Sequence, residues 1–142
     1  MLSCLTCANT FPGSEPRWRC SRGGRLKLKA ASFFTPDCVA GRSARLWRYR
    51  EALGLDDPAN CVTLGEGLTP LVPVPIEGRQ VLMKLDFLCP TGSCKDRGST
   101  VMVSKLKEWG VTEILEDSSG NAGASIAAYA AAAGMRARIY IP

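Results

Sequence analysis

Histidine does not occur anywhere in the 142 residues. Without an imidazole the chain can build no Ser-His-Asp or Cys-His nucleophile pair of its own, and no histidine-ligated metal. Long apolar runs are missing as well: none approaches the ~18 consecutive apolar residues that mark a membrane-spanning helix, so no membrane partner is expected. Residues 1–16 lack a basic segment followed by an apolar core, and a secretory leader is therefore not expected. Aromatics make up only 7% of the chain. The densest basic regions, 17–29 and 42–50, carry few of them and no nucleic-acid motif, so the net charge of +5 reads as an ordinary basic surface, with no nucleic-acid partner expected. That charge can also draw anionic, phosphorylated ligands. A paired cysteine set is lacking too. The seven cysteines are odd in number and scattered, which fits a reduced, cytoplasmic chain better than a disulfide scaffold.

What is present fits a globular protein, with 46% hydrophobic and 22% charged residues. The length allows one modest domain with a small appendage. Cys4-Leu5-Thr6-Cys7, followed by Trp18-Arg19-Cys20-Ser21-Arg22-Gly23-Gly24, resembles a zinc ribbon with part of one knuckle missing. Tetrahedral zinc takes four ligands, usually as two close pairs, and Arg22 and Gly23 stand where the second partner would fall. Three thiolates would need a borrowed fourth ligand, either Cys38 or water. The preferred reading is a degenerate ribbon-like lobe over residues 1–30 with no metal.

Residues 31–142 read as the main α/β domain. A helix is expected over 44–53, closed by Gly54, with a turn at Asp56-Asp57-Pro58. Prolines at 70, 73 and 75 suit an edge strand or arm. From there the rhythm is regular. It predicts strands at 81–88, 113–116 and 136–141, separated by helices at 95–109 and 121–133 that end at Gly110 and Gly134. Strand, helix, strand, helix, strand with short links predicts a parallel sheet with crossover helices. The break at Pro142, directly after a strand, is expected to fall in the middle of a fold.

Two loops in this array carry chemistry. The turn Pro90-Thr91-Gly92-Ser93-Cys94-Lys95-Asp96-Arg97-Gly98 puts one amine at the start of a helix. Such a lysine is either solvated decoration or a nucleophile able to condense with an aldehyde cofactor. Cys94 beside it reads as a small buried hydrophobe in preference to a reactive thiol. The loop Ser118-Ser119-Gly120-Asn121-Ala122-Gly123 offers hydroxyls, an amide and free backbone N–H groups at a second helix start. That is either simple capping or an anion cradle. Side by side, the two loops suit an amino acid held as an imine.

Together with Gly65-Glu66-Gly67-Leu68-Thr69-Pro70-Leu71, these stretches resemble threonine synthase, a pyridoxal-phosphate enzyme of the tryptophan-synthase-β type. The resemblance covers residues 4–142. It implies an incomplete three-layer, parallel-sheet α/β domain of fold type II. It also implies that Lys95 tethers pyridoxal 5'-phosphate covalently and then moves protons, and that Asn121 hydrogen-bonds the cofactor ring oxygen. Ser118, Ser119, Gly120, Asn121 and Ala122 would grip the substrate carboxylate. The implied reaction converts O-phospho-L-homoserine and water to L-threonine and phosphate, in a full-length form that is a homodimer. The elements for the cofactor phosphate would lie beyond Pro142, so the chain alone is expected to be inactive. A dehydratase-like or cysteate-synthase-like enzyme, a non-catalytic truncated paralogue and a zinc-ribbon adaptor remain as alternatives.

Overall fold

The computed structural model describes residues 1–28 and 34–142. The N-terminal segment is a three-stranded antiparallel sheet. Its central strand β1 (Leu2–Cys4) pairs with β2 (Thr10–Phe11) on one side and β3 (Leu26–Leu28) on the other. The register sets Leu2 opposite both Phe11 and Leu28, and Cys4 opposite Leu26. The boundary expected at residues 30 and 31 lies outside the described residues.

The helix expected over 44–53 forms as two short pieces, a 3-10 turn Leu46–Tyr49 and a single α-turn, α1 (Arg50–Leu53). Neither start has a capping side chain and neither piece buries a residue, so nothing extends the helix beyond this length. Gly54 ends it as expected, in the left-handed region at φ 71°. Two side chains hold the segment in place. Arg42 makes a two-pronged ion pair with Glu51 at 2.7 Å, and the Trp47 indole donates to Thr100 Oγ1 at 2.8 Å.

The expectation of a strand over 81–88 within a parallel sheet is corrected. Strand β4 (Leu71–Ile76) and strand β5 (Arg79–Lys84) form an antiparallel hairpin, and Asp86–Leu88 is a 3-10 turn. The cause is the two-residue connection Glu77-Gly78. Both residues take positive φ, 47° and 75°, the backbone of a tight hairpin turn. It folds β5 back on the proline-bearing strand, with Pro73 opposite Leu82 and Pro75 opposite Gln80.

The rest follows the predicted order. Helix α2 (Asp96–Glu108), strand β6 (Glu113–Asp117), helix α3 (Asn121–Ala132) and strand β7 (Arg136–Tyr140) succeed one another. Strands β6 and β7 are the parallel pair among the described residues, in register from Glu113 opposite Arg136 to Asp117 opposite Tyr140. Val62, Val103, Ile114, Ile126, Tyr129 and Ala130 make the buried core between helices and strands. The alanine-rich sequence of α3 lets it approach closely. At Gly123 even a Cβ would fall 2.8 Å from the Ile139 methyl on β7. No helix among the described residues is long and apolar enough to cross a membrane.

Val62 lies outside any strand, so its buried backbone groups must find other partners. Helix α2 supplies them: Ser104 Oγ accepts from the Val62 N–H at 2.8 Å, and Thr100 donates to the Val62 carbonyl at 2.6 Å. Thr100 is fully buried and also accepts the Trp47 indole N–H. Replacing this hydroxyl with a methyl in Thr100→Val strands one donor and one acceptor. The expected loss is about 1–3 kcal/mol of stability, read as a lower urea midpoint; an unchanged midpoint would show that these bonds do not hold the segment.

Candidate functional site

The lysine loop is built around an acid. Asp96 is completely buried, and its carboxylate accepts from the Thr91 N–H at 2.7 Å, from the Thr91 hydroxyl, and from Ser125 Oγ of α3 at 2.7 Å. Ser125 also lies 2.7 Å from the Ser99 hydroxyl of α2. Gly92, at φ 77°, lets the loop turn, and its N–H donates to the Cys89 carbonyl at 2.8 Å. The Lys95 N–H donates to Ser93 Oγ at 3.2 Å. With Asp96 directed inward, Lys95 stands exposed at the first turn of α2. Cys94 is exposed as well, which corrects the expectation of a buried hydrophobe: the loop directs Ser93 and Asp96 to the interior and leaves residue 94 outside.

The second loop leads from β6 into α3. Ser118 is half-buried, and its Oγ accepts from the Gly120 N–H at 3.3 Å and the Gly123 N–H at 3.0 Å. Ser119, Gly120 and Asn121 are exposed, and Ala122 is half-buried. Among the described residues the N–H groups of Asn121 and Ala122 meet no acceptor, as the first N–H groups of a helix do. They point out of the helix end, where the helix dipole favours negative charge.

The 65–71 loop is the third component. Its Glu66 is 1% exposed and accepts from Tyr129 Oη at 2.7 Å, Thr63 Oγ1 at 3.0 Å and the Leu64 N–H at 3.0 Å. Burial, together with the bond to Glu66, pushes the Tyr129 hydroxyl far above the ordinary phenol range, so it remains a donor. Gly67 sits at φ 101°, with the backbone of Leu46 where a side chain would go. Arg97, next to Asp96, reaches across to Asp86 Oδ1 at 2.8 Å and Thr69 Oγ1 at 2.9 Å, while Thr69 donates to Asp86 at 2.7 Å. The hydrogen bond from Arg97, with that from Thr69, holds the Asp86 carboxyl below its ordinary value.

The starts of α2 and α3 are thus fastened side by side by the bond between Asp96 and Ser125. Lys95 is one residue from that bond, and Asn121 lies one helical turn before it on α3. Besides the exposed Cys94, the site differs from expectation in that the lysine loop follows a hairpin and a 3-10 turn, not a strand of the parallel sheet. Sequence reasoning gave no role to Asp96, Glu66, Ser125, Tyr129 or Asp86. Two of these, Asp96 and Glu66, lie inside the motifs themselves. The available signal was an acid among glycines and small residues, which does not reveal whether the carboxylate is solvated or buried.

The family described as pyridoxal-phosphate dependent enzymes matches residues 62–142. The threonine synthase of Synechocystis sp. is 44% identical over 119 residues, covering 76% of this chain and 31% of that protein. That of Methanocaldococcus jannaschii is 32% identical over 149 residues, covering 98% and 37%. The Halalkalibacterium halodurans threonine synthase is 41% identical over 101 residues, covering 68% and 28%. The chain therefore spans about a third of the length of these curated relatives.

Two outcomes follow from the geometry. Asp96→Ala removes the acceptor of the Thr91 N–H and hydroxyl and leaves Ser125 with Ser99 alone, and is expected to cost about 3 kcal/mol, measured by chemical denaturation. Asp86 has a depressed folded pKa, so its contribution to stability is present above the ordinary value of 3.8 and lost as pH falls through the lower folded value. Arg97→Met is expected to flatten that acid limb of a stability-versus-pH curve; an unchanged limb would remove Arg97 as its cause.

Proposed function

The chain belongs to the family of pyridoxal-phosphate dependent enzymes, and from that premise we propose that it is the lysine-bearing portion of a threonine-synthase-like lyase. The reaction proposed is conversion of O-phospho-L-homoserine and water to L-threonine and phosphate, in the cytoplasm, by a full-length homodimer. Identity to threonine synthases supports the substrate. The observation that carries the reading is the pairing of an exposed amine with an anion-accepting helix start on adjacent helices, joined through Asp96 and Ser125.

The residues present fit the cofactor. A primary amine and a side-chain amide lie at neighbouring helix starts, and the second start has N–H groups without protein acceptors. The glycines flanking both leave room, since a Cβ built at Gly98 or Gly120 meets nothing within 4 Å. When bound, pyridoxal phosphate supplies an electron sink for charge developing on the substrate carbons. Lys95 would hold the cofactor through Nζ, and the same amine would serve as the general base and acid that takes and returns protons. Asn121 would hold the ring oxygen through its side-chain amide. The N–H groups of Asn121 and Ala122, which have no protein acceptor, and the hydroxyls of Ser118 and Ser119 would hold the substrate carboxylate. Because Ser118 Oγ already accepts two backbone N–H groups, its own proton is left to donate. On its own the chain is proposed to take up cofactor without turnover.

Incubation with pyridoxal phosphate, borohydride reduction and peptide mass spectrometry tests this. The expected result is a phosphopyridoxyl group on Lys95, with the accompanying absorbance band abolished by Lys95→Ala and weakened by Asn121→Ala. A band that survives in Lys95→Ala, or label spread over other lysines, would overturn the role given to Lys95.

A further inference from the structure

We propose that Cys4, Cys7 and Cys20 form a three-thiolate zinc site whose fourth position is open to water. The sequence favours a metal-free lobe because one cysteine is missing, but the fold brings the remaining three together. Their sulfur atoms all lie within 4.8 Å of one another, and the Cys7 and Cys20 sulfurs are 3.6 Å apart. Zinc bound tetrahedrally at about 2.3 Å from each thiolate spaces its sulfurs by roughly 3.8 Å. A disulfide requires about 2.05 Å, and all three residues are free thiols.

The backbone around them is made of two turns of the same kind, the second one residue shorter than the first. In the first, the Cys4 N–H donates to the Asn9 carbonyl at 2.8 Å and the Ala8 N–H returns to the Cys4 carbonyl at 3.1 Å. In the second, the Cys20 N–H donates to Gly24 at 2.9 Å and the Gly23 N–H returns to Cys20 at 2.8 Å. Each turn closes on a residue of positive φ, Ala8 at 58° and Gly23 at 78°. The residue before the first is Cys7; the residue before the second is Arg22, which is exposed. Arg22 thus occupies the place of the fourth thiolate, and the site keeps an open side there.

The rest is built as metal knuckles are. Cys4 and Cys20 are each 4% exposed, and the Thr6 N–H donates to Cys4 Sγ at 3.4 Å, a contact that favours the thiolate. Gly24 is pressed so closely on Cys4 that a Cβ would lie 2.5 Å from its sulfur, which holds the second turn against the first. The strands joined here have three, two and three residues. Pieces that short bury too little to order themselves, and a metal cross-link is a common remedy in small lobes.

The reduced chain is titrated anaerobically with cobalt(II) and then zinc(II). The expected result is one cobalt per chain, with thiolate-to-metal charge-transfer bands and tetrahedral visible bands that zinc removes. Cys7→Ser and Cys20→Ser lose the charge-transfer intensity in proportion to the thiolates removed; Cys61→Ser keeps it. Arg22→Cys raises that intensity by about a third, as a fourth thiolate joins. Should the serine variants fail to fold, alkylation of the unaltered chain decides, with zinc expected to slow modification of Cys4, Cys7 and Cys20 but not Cys94. Cobalt bands that are absent or indifferent to Cys20→Ser, or alkylation unaffected by zinc, would overturn the proposal.

Discussion

A carboxylate with no access to water fixes the position of the lysine loop. Asp96 can stay buried only while the Thr91 N–H, the Thr91 hydroxyl and Ser125 all point at it, because an acid left without donors in the interior is strongly destabilising. Glu66 is under the same constraint, with Tyr129, Thr63 and Leu64 as its donors. Ser125 and Tyr129 stand four residues apart and so share one face of α3. A helix made mostly of alanine therefore carries on a single stripe the two hydroxyls that hold two separate loops.

Three consecutive residues divide the work at the start of α2. Lys95 faces outward with its amine. Asp96 faces inward to α3. Arg97 reaches sideways to Asp86 and Thr69, tying in the hairpin that precedes the loop. Each direction follows from helical geometry, in which successive side chains are about 100° apart. The tripeptide thus joins the 65–71, 90–98 and 118–125 stretches, which are distant in sequence.

How much of this was legible depended on whether the signal was local. The helices now seen at Asp96–Glu108 and Asn121–Ala132 were readable because Gly110 and Gly134 end them and apolar spacing runs through the first. The strands Glu113–Asp117 and Arg136–Tyr140 were readable as short runs between those helices. At 81–88 an apolar run looks alike in a parallel sheet and in a hairpin; the deciding residues are Glu77 and Gly78, whose positive φ closes the turn. The 44–53 helix was overextended because periodicity does not report the lack of a cap or of a buried face. Of the candidate site, Lys95, Asn121 and the 118–122 loop could be named from motif. Asp96, Glu66 and Tyr129 could not be given roles, since burial is set by residues 29 to 63 positions away.

The prolines of the hairpin have an effect at its border. In an antiparallel ladder alternate residues turn their polar groups to the same side. Pro73 and Pro75 have no N–H to give β5, so their positions belong to the set facing away, with Leu71. The outer margin of β4 therefore has carbonyls to offer but almost no donors, and an incoming strand could not zip along it. Growth of this sheet, whether by a neighbouring segment or by unwanted self-association, is directed to the β5 side alone.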